Sequence, residues 1–275
     1  MNNKPVLFFD SGTGGLIYCG DFMKKNPQEE ICCVADRQNF PYGQKTKEEL
    51  SSILVSLTEK LIKLICPKII VLACNTATVS SIEILRRAFP AVPFVGTVPA
   101  VKPAASMSIK RKIGLLGTTR TIEDPYSLHL ADENIFDNTD NEKKARCEII
   151  GAAAPELVEF VENNLEKADK NEKTAMVKKY VNFFKEKGVD ALVLGCTHFL
   201  YLLDEFKKEA SPSIAVYDSL EGITKRIAFL LDEKNLRAEN NFNPAHRLIL
   251  TGAQPPQTSW EKRAVSLGLK ISLLQ

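Results

Sequence analysis

Short apolar runs alternate with longer stretches of helical period along this chain, and that alternation restricts the fold to a parallel sheet covered by helices. Residues 6–9 read as a first strand, followed by a turn rich in Ser, Gly and Thr. Residues 31–34 and 69–72 read as further strands. Between these two, Leu50, Ile53, Leu54, Leu57, Leu61, Leu64 and Ile65 recur at helical spacing until Pro67, which cannot continue a helix. After Asn75, an apolar stripe of Val79, Ile82, Leu85 and Phe89 marks another helix, stopped by Pro90 and Pro93. A second series begins near Lys112. Residues 113–116 are strand-like, Leu157, Val161 and Leu165 mark one helix, and Val177, Tyr180, Val181 and Phe184 mark another. Residues 191–194 form an apolar strand; residues 214–217, a helix over 219–231 and a strand–helix–strand segment from His246 complete the pattern. The polar stretches 132–146 and 163–174 read as surface connections without function.

Two segments resemble each other. Ile69-Ile70-Val71-Leu72-Ala73-Cys74-Asn75-Thr76 and Ala191-Leu192-Val193-Leu194-Gly195-Cys196-Thr197-His198 each run from an apolar strand through a small residue to a cysteine, then to hydroxyl and amide groups that lead into a helix. Phe9-Asp10-Ser11-Gly12 and Leu116-Gly117-Thr118-Thr119 likewise each leave a strand for a polar turn. We therefore expect two related α/β domains with mainly parallel sheets, residues 1–97 plus 212–275 and residues 98–211, facing each other across a central active-site cleft.

In open parallel sheets, ligands gather at the carboxyl ends of the strands, where the following helix aims its first N–H groups. Both cysteines stand there, and a thiol at a helix start ionises more readily than a free one. Taken singly, a cysteine ending an apolar strand is usually a small buried hydrophobe. Two in matched contexts point to chemistry instead. One sulfur on each face of a carbon suits stereochemical inversion, in which one thiolate removes a proton while the other thiol returns one to the opposite face. The weakly acidic α-proton of an amino acid also demands donors for the charge that develops. Ser11, Asn75, Thr76, Thr118, Thr121 and Thr197 supply suitable groups, and Asp10 or His198 is placed to assist the thiols.

Other classes are disfavoured. The formal net charge of +2 gives no reason to expect nucleic acid or a membrane surface as partner. No run approaches the ~18 apolar residues of a membrane span, and the opening residues hold too short an apolar run for a signal core. Neither GxGxxG nor GxxxxGK[ST] follows the first strand. The seven cysteines show no zinc-type spacing. Cys19, Cys32, Cys33, Cys66 and Cys147 read as buried hydrophobes with reduced thiols, in a cytoplasmic protein. His129 and His246 read as surface residues.

These motifs resemble the glutamate racemases of the aspartate/glutamate racemase superfamily. The matching segments are Phe9-Asp10-Ser11-Gly12-Thr13-Gly14-Gly15; Asp36 followed by Phe40-Pro41-Tyr42-Gly43; Ala73-Cys74-Asn75-Thr76-Ala77; Gly96-Thr97-Val98-Pro99-Ala100; Gly117-Thr118 with Thr121; and Gly195-Cys196-Thr197-His198-Phe199. The resemblance implies Cys74 and Cys196 as proton donor and acceptor. It implies substrate contacts at Asp10, Ser11, Pro41, Tyr42, Gly43, Asn75, Thr76, Thr118, Thr121, Thr197 and His198, with Asp10 and His198 assisting catalysis. It also implies support of the second site by Glu162, with Glu159 as the alternative. It implies no pyridoxal phosphate and no metal, glutamate as the small-molecule substrate, D-glutamate supplied to peptidoglycan, and a homodimer as one expected assembly. Leu200 departs from the family's usual proline, a change expected to affect the helix start more than the chemistry. The nearest rival is a racemase for aspartate or another acidic amino acid, although His198 resembles the glutamate branch. A one-cysteine decarboxylase or isomerase is disfavoured by the second cysteine motif. A non-catalytic amino-acid-binding or thiol protein is the rival from another class.

Overall fold

The computed structural model describes residues 2–125 and 147–274, so the stretch 132–146 and His129 lie outside the described residues. Among the described residues the strands are β1 (Val6–Asp10), β2 (Ile31–Ala35), β3 (Ile69–Leu72), β4 (Phe94–Gly96), β5 (Lys112–Gly117), β6 (Glu148–Ala153), β7 (Ala191–Gly195), β8 (Ala215–Tyr217), β9 (Arg247–Thr251) and β10 (Lys270–Leu274). The helices are α1 (Gly15–Lys25), α2 (Lys47–Ile65), α3 (Asn75–Ala88), α4 (Val101–Met107), α5 (Thr119–Glu123), α6 (Pro155–Asn163), α7 (Lys170–Glu186), α8 (Leu203–Ala210), α9 (Leu220–Glu233) and α10 (Thr258–Ser266). They fall into two compact units, Met1–Thr97 with Leu220–Gln275, and Val98–Ser219. Because β8 pairs with β7, the second unit runs past the 211/212 division expected from the sequence, to Ser219.

The first unit is a six-stranded parallel sheet in the order β10-β9-β2-β1-β3-β4. Every residue of β1, β2 and β3 is buried, as their unbroken apolar runs require of strands covered on both faces. Leu7 and Phe9 share one core with Leu50 and Leu54 of α2. Phe8, one residue out of phase, meets Phe22 of α1, with ring centroids 5.6 Å apart. Thr46 caps α2 by accepting the Glu49 N–H at 3.2 Å, and the helix stops at Cys66 in a left-handed conformation (φ 50°), just before Pro67.

The second unit is a four-stranded parallel sheet in the order β6-β5-β7-β8. Val101 and Ala104 of α4 pack against Ile113, Leu115, Ala191 and Val193. α7 begins inside the stretch expected to be a connection. Asp169 accepts the Glu172 N–H at 2.8 Å and Glu172 returns to the Asp169 N–H at 2.8 Å, a capping box strong enough to start a helix among charged residues.

Three further expectations are corrected, the first being that Cys66 is exposed and Cys147 only partly buried rather than both being buried hydrophobes. Cys19 on α1 and Cys33 on β2 are joined by a disulfide rather than held as reduced thiols, because α1 packs directly over β2. His246 is half-buried, and its Nδ1 accepts the Ile31 N–H at 3.3 Å where β2 begins. Among the described residues no helix is long and apolar enough to cross a membrane.

Candidate active site

In the first unit the site is built where β1 and β3, neighbours in the sheet, reach their carboxyl ends. Asp10 closes β1, and its buried carboxylate accepts the Ser11 N–H, the Ser11 hydroxyl at 3.2 Å and the Gly12 N–H at 3.4 Å. This folds the polar turn back over its own strand. Gly15 has to be a glycine: a Cβ there would come within 2.8 Å of the Asp10 Cβ, so α1 starts hard against the strand end.

Beyond β3, Cys74 sits at the N-cap of α3 in extended conformation (φ −148°), 5% exposed. Its side chain makes no capping hydrogen bond, so the sulfur is not spent on the helix start. The following residues, Asn75 and Thr76, are also buried. The Asn75 amide is unusual: both Oδ1 and Nδ2 are buried, and neither finds a hydrogen-bond partner among the described residues. An amide held out of water without partners costs about 1–3 kcal/mol, and such a group at the head of a helix is ready to receive a polar ligand.

Tyr42 lies in a short 3-10 turn, Tyr42–Gln44, between Pro41 and α2. Its phenol donates to Asp36 at 2.6 Å. Burial, and then the Asp36 carboxylate, push the phenol well above its ordinary pKa, and Cys74 and Asp10 add to the effect. Tyr42 is therefore a neutral donor within electrostatic reach of both site residues. Its neighbours Pro41 and Gly43 are partly exposed.

In the second unit the site stands at the ends of β5 and β7, which pair in register with Gly117 opposite Gly195. A Cβ on Gly195 would meet the Leu116 carbonyl oxygen at 3.0 Å, so the strand end is packed tightly before Cys196. Cys196 repeats the geometry of Cys74: N-cap position, φ −141°, 6% exposed, no capping hydrogen bond from the side chain. A six-residue 3-10 turn, Thr197–Leu202, holds buried Thr197, His198 and Leu200, and α8 starts at Leu203.

His198 joins two elements. Its Nδ1 lies 3.8 Å from the Cys196 sulfur, and its Nε2 lies 2.6 Å from Oε1 of Glu162 on α6. Burial works to lower the imidazole pKa. The hydrogen bonds to Cys196 and Glu162 and the negative charge they bring outweigh burial, and the net shift is well above the ordinary value. A protonated His198 can donate from both ring nitrogens, towards Glu162 and towards the Cys196 sulfur. Of the two carboxylates left open by the sequence, Glu162 is buried and bonded to His198, whereas Glu159 faces solvent. Thr118 caps α5, accepting the Thr121 N–H at 3.3 Å, with the two hydroxyls 3.0 Å apart.

Some contacts carried no signal in the sequence. Arg263 of α10, buried, donates to the Thr13 hydroxyl oxygen in the glycine-rich turn at 2.6 Å. Thr251 of β9 bonds Asp36. Neither partner pair shares a motif or a spacing. Among the described residues no group of three or more His, Cys, Asp and Glu is arranged to hold a metal ion.

The sequence profile of the Asp/Glu/hydantoin racemase family matches residues 23–226. The chain belongs to this family. Within the racemases, it is 33% identical to the glutamate racemase of Shewanella sp. (strain ANA-3) over 272 residues, covering 99% of this chain and 93% of the relative. It is 37% identical to the glutamate racemase of Treponema pallidum over 219 residues, covering 80% of this chain and 78% of that one. Among solved racemase structures, a glutamate racemase isoform of Bacillus anthracis is similar with a TM-score of 0.84 at 30% identity, covering 100% of this chain and 98% of the other. Escherichia coli glutamate racemase, solved with L-glutamate and the activator UDP-MurNAc-Ala, is similar with a TM-score of 0.82 at 27% identity, covering 98% and 97%.

Proposed function

We propose that this chain is a glutamate racemase, interconverting L- and D-glutamate with its own two thiols and supplying D-glutamate for peptidoglycan. The observation that carries the reading is the matched placement of two buried, non-capping cysteines, Cys74 and Cys196, each heading a helical turn at the carboxyl end of a parallel strand. Neither is in a disulfide. The L-glutamate bound in the Escherichia coli relative supports the choice of substrate.

In the first half-reaction one sulfur, as thiolate, takes the α-proton, and in the second the other thiol gives a proton to the opposite face of the planar carbon. Reversing the direction exchanges the roles. Cys196 works with His198 and Glu162. The carboxylate holds the imidazole by Nε2, and the imidazole meets the Cys196 sulfur through Nδ1. Cys74 works with Asp10, Ser11 and the start of α3. The Asn75 amide, Thr76 and the first N–H groups of α3 receive the substrate's carboxylate and the charge that grows on it in the transition state. Thr118, Thr121 and Thr197 supply hydroxyls to the same task, and Pro41, Tyr42 and Gly43 form the loop that recognises the side-chain carboxylate. We place this activity in the cytoplasm; the Cys19–Cys33 disulfide uses neither of the working cysteines, Cys74 and Cys196.

The test is optical. L- or D-glutamate incubated with the reduced protein and no added cofactor should lose its rotation completely from either side, while aspartate keeps its own. Glutamate that stays optically pure in a folded sample would remove the proposal, and aspartate racemised faster would transfer it to the rival substrate.

A further inference from the structure

Strand β9 of the first unit is tied to the loop that carries Tyr42. Thr251, the last residue of β9, donates its hydroxyl to Asp36 Oδ1 at 2.6 Å and accepts the Gln38 N–H at 3.1 Å. The other oxygen of Asp36 accepts the Tyr42 phenol at 2.6 Å, and the Asn39 amide reaches both oxygens at 3.1 and 2.9 Å. Arg37 adds bonds to the carbonyls of Gln254 and Pro255, just beyond β9, at 2.6 and 3.2 Å.

Asp36 is wholly buried, and a buried carboxylate is stable only while its oxygens are bonded. Without the Thr251 hydroxyl, Oδ1 would keep only the Asn39 amide, which it shares with Oδ2. The phenol of Tyr42 is committed to Asp36, so its ring is turned into the protein as an anchor. What 41–43 can offer a ligand is its backbone, which opens a 3-10 turn whose first N–H groups have no carbonyl within the turn to reach. The position of those groups depends on Tyr42, Tyr42 depends on Asp36, and Asp36 depends on Thr251.

We propose that Thr251 is a positioning residue for substrate binding, acting through Asp36 and Tyr42 on the backbone of residues 41–43. This rests on the glutamate racemase reading above.

In the full-length protein, Thr251→Val should raise KM for glutamate about tenfold and change kcat less than about twofold, because it weakens ground-state and transition-state binding alike. Thr251→Ser, which keeps the hydroxyl, should restore KM, and Thr251→Ala should match Thr251→Val. In a double-mutant cycle, Tyr42→Phe should make Thr251→Val nearly silent. Amide hydrogen exchange provides a readout without substrate: exchange of residues 37–45 should quicken in Thr251→Val, while exchange in β5 and β7 stays as in the parent. A wild-type KM in Thr251→Val, or additive effects in the cycle, would overturn the proposal. If the parent protein did not act on glutamate, the racemase reading would fail by itself. Unchanged exchange over 37–45 would then still refute the anchoring, and quickened exchange would uphold it.

Discussion

The strand ends of β3 and β7 present the same residue in two different settings. Cys74 heads α3 next to the buried, unpartnered amide of Asn75, and Tyr42 brings a neutral phenol within electrostatic reach of it. Cys196 heads a 3-10 turn against His198, whose far nitrogen is held by Glu162. The first setting keeps the Asn75 amide in reserve for a ligand, while the Tyr42 phenol is held by Asp36. The second spends its polar groups on one another, in a chain that ends at the sulfur. Matched backbones thus carry unequal settings: on the function proposed above, one half mainly binds charge and the other mainly tunes a proton. A two-base enzyme has use for both, since each sulfur must be base in one direction and acid in the other.

The largest effects should come from the sulfurs themselves. Cys74→Ala and Cys196→Ala should each lower kcat by about 10²–10⁴-fold, read by polarimetry. Either variant turning over at the parent rate would take that sulfur out of the reaction and collapse the comparison.

Next in size are substitutions that touch one setting only. Glu162→Gln should lower kcat about tenfold while leaving KM nearly unchanged, and Glu159→Gln on the same helix should do nothing measurable. Equal effects from the two would show that the His198 bond is unimportant. Asn75→Leu should do the reverse of Glu162→Gln, raising KM about tenfold. Because it removes an unpaired buried amide, it should also stabilise the protein by about 1 kcal/mol in thermal denaturation. A loss of stability in Asn75→Leu would mean that the amide is satisfied in solution.

The smallest effect is a slope. His198 has a raised pKa when folded, so above about pH 6.5 the folded protein keeps a proton that the unfolded chain releases. Its contribution to stability is complete below that pH and declines as pH rises through the folded value, by at most about 1.4 kcal/mol per pH unit. Chemical denaturation across the neutral range should show the decline in the parent and a flatter profile in His198→Asn. A parent profile that rises with pH would reverse the sign assigned to the His198–Glu162 pair.

The parallel sheets and both cysteine turns were legible in the sequence because they are local. A run such as 69–72 is apolar at every position since β3 is buried on both faces, and the residue types after it specify the turn. Glu162 was half legible. The stripe of Leu157, Val158, Val161 and Leu165 faces inward, and helical phase puts residue 162 at its edge and 159 nearly opposite, but phase alone could not name His198 as the partner. β4, β6 and the helices α1, α4 and α5 were not read. β6 is only partly buried and shows little apolar alternation, and α1 issues from a glycine-rich turn that hides its start. Thr251 with Asp36 and Arg263 with Thr13 were out of reach for another reason. Each pair joins residues more than two hundred positions apart, which the sheet order alone brings together.

The central claim is that two different sulfurs handle the two faces of one carbon, and isotope distribution tests it most directly. L-Glutamate is converted in heavy water to a few per cent, and the two enantiomers are then separated. A two-base enzyme gives D-glutamate with close to one deuterium at Cα and leaves the recovered L-glutamate almost unlabelled, with the mirror result from D-glutamate. Equal label in product and recovered substrate, or product carrying its original hydrogen, would contradict the account.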